Sequence, residues 1–310
     1  MLDLAIIVVN YNVCDLLRGC LEPVYASAHV AFEVCVVDNA SSDDSAGMVA
    51  REFPQVHLIR NRENLGYAAA NNLGVKLFGF EDPNARDRIP YSTFRIPHSE
   101  RPRYVLLLNP DTVVPPDAFA RMIKLMDDHP ELGVAGPKLV RLDGALDLAC
   151  RRSFPSVEVS FWRLTKLSKI FPRRKRFGRY NMTYLDPDQP AEIDSVVGAF
   201  MLVRREAIER VGLLDEIFWM YGEDLDWAYR IKQAGWKVYY YPQVVVQHVK
   251  RASSGQANEG AAKAKYEFDR AMWLFYRKHY QPTTPRWLDR LVRFGLGLKG
   301  GPPLRAEMKQ

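Results

Sequence analysis

Residues 104–112 read YVLLLNPDT. The apolar run 104–108 has the length and composition of a buried strand, and it stops at Asn109, Pro110 and Asp111. A strand that ends so abruptly delivers polar side chains to the carboxyl edge of a sheet, where open α/β folds bind ligands. A carboxylate held there, Asp111, suits a hard cation and, through it, phosphate oxygens. An Asx turn after Pro110 is the other account of the same residue.

Upstream of that stretch, strand and helix patterns alternate. Residues 4–9 (LAIIVV), 34–37 and 56–59 read as strands, and 14–27, 43–52 and 66–78 as helices. That alternation argues a parallel α/β sheet. Residues 81–103 interrupt it as a polar, proline-bearing inserted loop. Downstream, a helix over 116–128 and a strand over 133–140 lead into an irregular basic segment, 151–190. An apolar, β-rich stretch follows over 193–203. Helices over 204–211 and 224–234 and short strands over 238–241 and 244–246 complete this part. Residues 260–280 and 284–298 read as two helices, the second with Pro285 at its first position. The expected organisation is a catalytic domain over 1–255, with 81–103 inserted and 151–190 on the acceptor and membrane side, then a helical extension over 256–310.

The chain of 310 residues is 47% hydrophobic and 26% charged, enough for a full core. Its net charge of +6 is unevenly spread: residues 163–179 hold eight Lys or Arg and no acid. Residues 162–180 (WRLTKLSKIFPRRKRFGRY) interleave bulky apolar and basic side chains. Residues 284–298 gather Trp287, Leu288, Leu291, Val292 and Phe294 on one face, with Arg286, Arg290 and Arg293 elsewhere. Basic amphipathic stretches read as membrane-surface elements, with packing on the domain or a solvated face as the alternatives. No nucleic-acid fold signature accompanies them, so no nucleic-acid partner is expected. The four cysteines lack metal-ligand spacing and read as reduced thiols. The N-terminus has no basic signal-peptide region, and no segment reaches the roughly 20 apolar residues that span a bilayer. The expected location is cytoplasmic, on the inner face of the cell membrane.

Several short constellations carry polar chemistry. Asn10 and Tyr11 end the first strand, where Tyr11 could lie on a nucleobase or simply start a turn. Asp38 ends the second, where it could accept from a base N–H or a ribose hydroxyl, or cap a helix. Gly66, followed by Tyr67 and three alanines, allows a ligand close to backbone at a helix start, or tight helix–sheet packing. Glu223, Asp224 and Asp226 open a helix behind Gly222 and the aromatic run 218–221. Macrodipole complementation accounts for one or two of them. Crowded carboxylates raise one another's pKa, and a raised carboxylate makes a usable general base. His248 ends a strand and precedes Lys250, Arg251, Ser253 and Ser254, a loop suited to a diphosphate.

Taken in order, VVNYN (8–12), VVDNASSD (36–43), NRENLGYAAANNLG (61–74), LLLNPDT (106–112), VGAFMLVRREAIERVGLLDE (197–216), YGEDLDWAYRIKQAGW (221–236) and QH (247–248) resemble the inverting nucleotide-sugar glycosyltransferases of family 2. Within that family the chain looks most like bacterial rhamnosyltransferases that act on lipid-linked sugars. The resemblance implies the α/β fold called GT-A, with the helical extension beyond it. It implies donor contacts at Asn10, Tyr11, Asp38, Gly66, Asn109 and Asp111, and acceptor contacts at Glu223 and Gly198. It makes Asp224 the general base, and Asp111 with His248 the ligands of Mg²⁺ or Mn²⁺. Asn109 departs from the family's Asp-x-Asp motif, which removes one negative charge from that site. The implied donor is a nucleotide-sugar such as dTDP-rhamnose, and the implied acceptor is a lipid-linked sugar at an anionic membrane surface.

Two other classes compete. A sugar nucleotidyltransferase also uses an α/β sheet, a metal and a nucleotide, but it would usually carry a glycine-rich basic loop where this chain has Asn-Tyr-Asn. A non-catalytic nucleotide-binding module would not need the carboxylates at 223 and 224. Nothing in the sequence sets the oligomeric state.

Overall fold

β1 (Leu4–Asn10) is buried along its whole length, because it lies between two parallel neighbours and under helices on both faces. β2 (Phe32–Asp38) and β4 (Tyr104–Leu108) flank it, and β3 (His57–Arg60) extends the sheet beyond β2. The structure, a computed structural model, describes residues 2–81, 101–249 and 258–309. Most of the expected inserted loop, and the residues Lys250, Arg251, Ser253 and Ser254, lie outside them.

α1 (Cys14–Tyr25), α2 (Ser45–Glu52) and α3 (Tyr67–Leu77) connect the first strands, each burying its apolar face on the sheet. β5 (Thr112–Val113) and α4 (Ala118–Asp128) follow β4, and β6 (Leu132–Val140) comes next. The direction then reverses. β8 (Phe200–Arg204) runs antiparallel between β4 and β6. β9 (Lys237–His248) lies parallel to β6, with β7 (Ala191–Ile193) and β5 antiparallel to it. Among the described residues the result is a mixed, mostly parallel nine-stranded sheet in the order β3-β2-β1-β4-β8-β6-β9-β5, with β7 also on β9. α7 (Arg205–Val211) and α8 (Glu223–Gln233) pack beside it.

Three sequence expectations change in detail. The two short strands expected on either side of Pro242 are one strand, β9. The β6 register jumps from Pro137↔Tyr241 to Lys138↔Val245, and the bulge passes over the proline, which has no N–H to give. The segment 151–190 is not wholly irregular, since α5 (Val157–Leu164) and α6 (Leu167–Ile170) form within it. Pro285 is the N-cap of the last helix rather than its first residue.

α9 (Asn258–His279) and α10 (Arg286–Glu307, kinked at Gly301) make the C-terminal extension. Ala271, Trp273, Leu274, Phe275 and Tyr276 of α9 join Leu304 and Met308 in a second apolar cluster, which is anchored on Phe218 and Leu225. Asp226, fully buried in α8, receives His279 Nε2 and Lys278 Nζ of α9 at 2.7 Å each, and Arg230 Nε at 2.8 Å. Burial alone would raise its pKa, but these three donors outweigh burial and hold it at about 2. α9 is thereby tied to the helix that carries Glu223 and Asp224.

Candidate active site

Parallel pairing puts Asn10 and Asp38 opposite each other at the carboxyl ends of β1 and β2. Asn10 Nδ2 donates to Asp38 Oδ2 and to Ser41 Oγ, both at 3.1 Å. Asp38 Oδ1 accepts from Ser41 N at 3.0 Å. Asp38 therefore organises the loop before α2 and does not cap the helix, whose N-cap is Asp44. The Asn10 side-chain oxygen is buried without a hydrogen-bond partner, an acceptor that costs free energy until something donates to it. Tyr11, next along, is 50% exposed, with its ring available to a planar ligand.

The second group forms where β5 meets β9. Antiparallel pairing sets Thr112 against His248, and Val249 N donates to Asp111 O at 2.8 Å. His248 Nε2 consequently lies 3.3 Å from Asp111 Oδ1, while its Nδ1 lies 2.9 Å from Asp147 Oδ2. All three side chains are buried. Burial would lower the imidazole pKa, but the two carboxylates outweigh it and raise it to about 9. A carboxylate on Nδ1–H fixes the tautomer that points Nε2 outward, the arrangement common behind metal-ligating histidines. Asp111 and His248 fit a divalent cation in place of the proton between them. Among the described residues no group of three or more His, Cys, Asp or Glu could hold a metal, so a ligand and water would complete the shell, as Mg²⁺ commonly requires.

Tyr67 joins the strand end to the acidic helix. Its hydroxyl lies 3.0 Å from Asn109 Oδ1 and 3.0 Å from Gly198 O. Burial, and then the charges of Glu223, Asp224 and Asp111, push its pKa well above the usual phenol value. Gly198 N in turn donates to Asp224 Oδ2 at 3.0 Å. A continuous run of contacts thus connects Asn109, Tyr67, Gly198 and Asp224. Gly66, with φ +85°, precedes Tyr67, and a Cβ there would sit 2.4 Å from Trp219 O. Tyr67 N donates to that carbonyl at 2.7 Å. The group in close approach at Gly66 is therefore the loop before the acid pair.

Glu223 and Asp224 start α8 behind Tyr221 and Gly222, both at positive φ. The two acids differ in their partners. Arg152 Nη2 meets Asp224 Oδ2 at 2.6 Å and Val196 O at 2.6 Å, all buried. Glu223 is buried with Oε2 unpartnered. Burial, and then the Asp224 charge, raise its pKa to about 8, so near neutral pH it carries its proton and can donate a hydrogen bond. The crowding expected from sequence acts on Glu223, while Asp224 gains a cation of its own.

The structure links Asn109, Gly198 and Asp224 through Tyr67, with Glu223 beside Asp224 and with His248 against Asp111, two residues after Asn109, and sets Asn10, Tyr11 and Asp38 at the adjoining strand ends. Sequence reading missed Arg152, Asp147 and the bridging part of Tyr67. A cavity of about 370 Å³ at the opposite end of the strands is lined by Asp3, Arg103, Lys124, Asp127 and Asp128 among others. Its charges pair with one another, so it offers no comparable site.

A profile of the family described as glycosyltransferase like family 2 matches residues 3–265. The N-acetylglucosaminyl-diphospho-decaprenol L-rhamnosyltransferase of Mycobacterium tuberculosis is 29% identical over 240 residues, covering 76% of this chain and 74% of that protein. A low-salt glycan biosynthesis hexosyltransferase of Haloferax volcanii is 23% identical over 231 residues, covering 74% of this chain and 62% of its own. Among solved structures, GalNAc-T7 with UDP, GalNAc and Mn²⁺ superposes with a TM-score of 0.59 at 14% identity, over 91% of this chain and 48% of that one. Residues 1–349 of S. aureus TarS superpose with a TM-score of 0.53 at 13% identity, over 88% of this chain and 64% of that one. The chain thus spans less than two thirds of either structure, and the likeness is one of fold.

Proposed function

This chain belongs to the glycosyltransferase like family 2, and from that premise we propose that it moves a sugar from a nucleotide diphosphate to a hydroxyl of a lipid-linked saccharide, with inversion. The observation that carries the proposal is the run Asn109–Tyr67–Gly198–Asp224, which makes one site of a donor-binding strand end and an acid pair distant in sequence. L-Rhamnose from dTDP-rhamnose is the donor we favour, because the mycobacterial relative's name is that of an L-rhamnosyltransferase acting on a diphospho-decaprenol-linked sugar. The domain boundary we adopt is 255/256, with the acceptor segment at 151–190.

In this reading Asn10, Tyr11 and Asp38 hold the nucleoside, and Asn109 with Asp111 faces the diphosphate. A divalent ion on Asp111 and His248 would supply neutralisation of the departing diphosphate's charge. The acceptor oxygen attacks C1, the C1–O bond to the nucleotide breaks with its electron pair, and Asp224 takes the acceptor proton. Arg152 holds the Asp224 carboxylate in place through its 2.6 Å contact. Protonated Glu223 donates to an acceptor hydroxyl beside Gly198. The enzyme works at the inner face of an anionic membrane, where a lipid-linked saccharide is presented.

The test is a panel of dTDP-, UDP- and GDP-sugars in thermal-shift titrations, with and without Mn²⁺, since binding raises apparent stability by mass action. The panel is paired with a transfer assay on a polyprenyl-diphosphate saccharide. A metal-dependent shift for dTDP-rhamnose and a glycosylated lipid product are expected. No shift for any nucleotide-sugar would overturn the reading.

A further inference from the structure

α10 is apolar on two sides. Val292 and Leu296 pack against the cluster around Trp273. Trp287, Leu291, Phe294 and Leu298 point the other way and are 65%, 58%, 66% and 55% exposed. The single face expected from sequence is thus divided, with Val292 inward and Trp287, Leu291 and Phe294 outward. Spacing of four, three and four residues puts the outward set on one stripe about 17 Å long at 1.5 Å per residue. A large apolar stripe left in water marks an interaction surface.

The charges around the stripe say what covers it. Both acids of α10 turn toward the protein. Asp289 accepts from Tyr276 and Gln281, and Glu307 from Arg270 and Tyr266. Arg286 and Arg290, by contrast, are exposed beside the stripe. A second copy docking here by two-fold symmetry would set these cations against their equivalents. A surface of anionic headgroups over acyl chains matches both the cations and the apolar residues, and Trp with Arg suits that boundary.

The other basic segment has the same character. Phe161, Ile170 and Phe171 of the α5–α6 region are 51%, 63% and 47% exposed, amid Lys166, Lys169, Arg173, Arg174 and Lys175.

We propose that α10 lies in the plane of an anionic membrane, inserting Trp287, Leu291, Phe294 and Leu298, with the α5–α6 segment as a second contact. This rests on the lipid-linked acceptor only for its use to the enzyme. Among the described residues no helix is long and apolar enough to cross a membrane, so the contact is with the surface.

The test is flotation of the full chain with vesicles of equal parts phosphatidylcholine and phosphatidylglycerol, against phosphatidylcholine alone. The wild type should float with the first and not the second. The triple variant Trp287→Ser, Leu291→Ser, Phe294→Ser should lose about tenfold or more of that recovery with an unchanged unfolding midpoint. The single exposed change Leu298→Glu should act in the same direction, should the triple variant fold poorly. The proposal is overturned if the wild type stays at the bottom of the gradient, or if the triple and single variants float like the wild type. A wild-type dimer that becomes monomeric in the triple variant, without flotation, also overturns it and makes the stripe a contact between copies. The vesicles hold no saccharide, so this result is independent of glycosyl transfer.

Discussion

Arg152 and Asp224 meet at 2.6 Å in a buried ion pair that spans 72 residues of sequence. Removing one partner of such a pair leaves an uncompensated charge, which costs about 3–5 kcal/mol. Arg152→Met should therefore lose roughly that much stability in urea titrations, and Arg152→Lys should restore part of it. A change within 0.5 kcal/mol, ordinary for surface substitutions, would mean that the pair is not a structural unit.

Glu223 gives a prediction of the opposite kind. Its folded-state pKa, about 8, stands above the ordinary 4.5, so the native state holds a proton that the unfolded chain releases. The stability this contributes is complete below the unfolded pKa and is lost as pH rises to about 8. Glu223→Gln cannot ionise. Its melting temperature relative to wild type should rise as pH goes from the unfolded value of 4.5 to about 8 and level off above that. A difference independent of pH would contradict the assignment.

Asp226 works in reverse, its folded-state pKa being depressed to about 2 by His279, Arg230 and Lys278 against the effect of burial. The stability it contributes is present above the unfolded value of 3.8 and disappears as pH falls through about 2. Asp226→Asn should loosen α9 at neutral pH, seen as faster amide exchange over residues 266–279. It should also flatten the acid branch of the stability curve. Unchanged exchange would show that the apolar cluster alone holds the extension.

Behind His248, Asp147 accepts from Nδ1 at 2.9 Å. Replacing such an orienting carboxylate weakens metal binding about 10–100-fold in known sites. Asp147→Asn should weaken Mn²⁺ binding by that order in the presence of nucleotide diphosphate, read by calorimetry apart from turnover. Equal affinity would leave Asp147 with a packing role only.

The first half of the sheet is legible in sequence because β1, β2 and β4 carry apolar runs of strand length, and their alternation with helices indicates parallel pairing, though not the spatial order. The second half is not. The pairing of β8 between β4 and β6, and of β5 on β9, depends on contacts that no local period encodes. Asp111 and His248 are paired in sequence only by the family resemblance, and it is the register Thr112↔His248 that brings them together in the fold. Arg151 and Arg152 are indistinguishable as neighbours in an irregular stretch. The fold sends the first to the carbonyls of Leu185 and Asp186 and the second to Asp224. The three acids at the start of α8 likewise look alike in sequence. Their partners separate them into a protonated Glu223, an Arg152-bound Asp224 and a structural Asp226.

The central claim is that Asp224 takes the acceptor proton. Its most direct test is single-turnover transfer by Asp224→Asn, with donor affinity measured in parallel. A general base contributes about 10²–10⁴-fold in rate, so turnover should fall by that order while donor affinity stays at the wild-type value. Transfer at a near-normal rate with intact donor binding would contradict the claim.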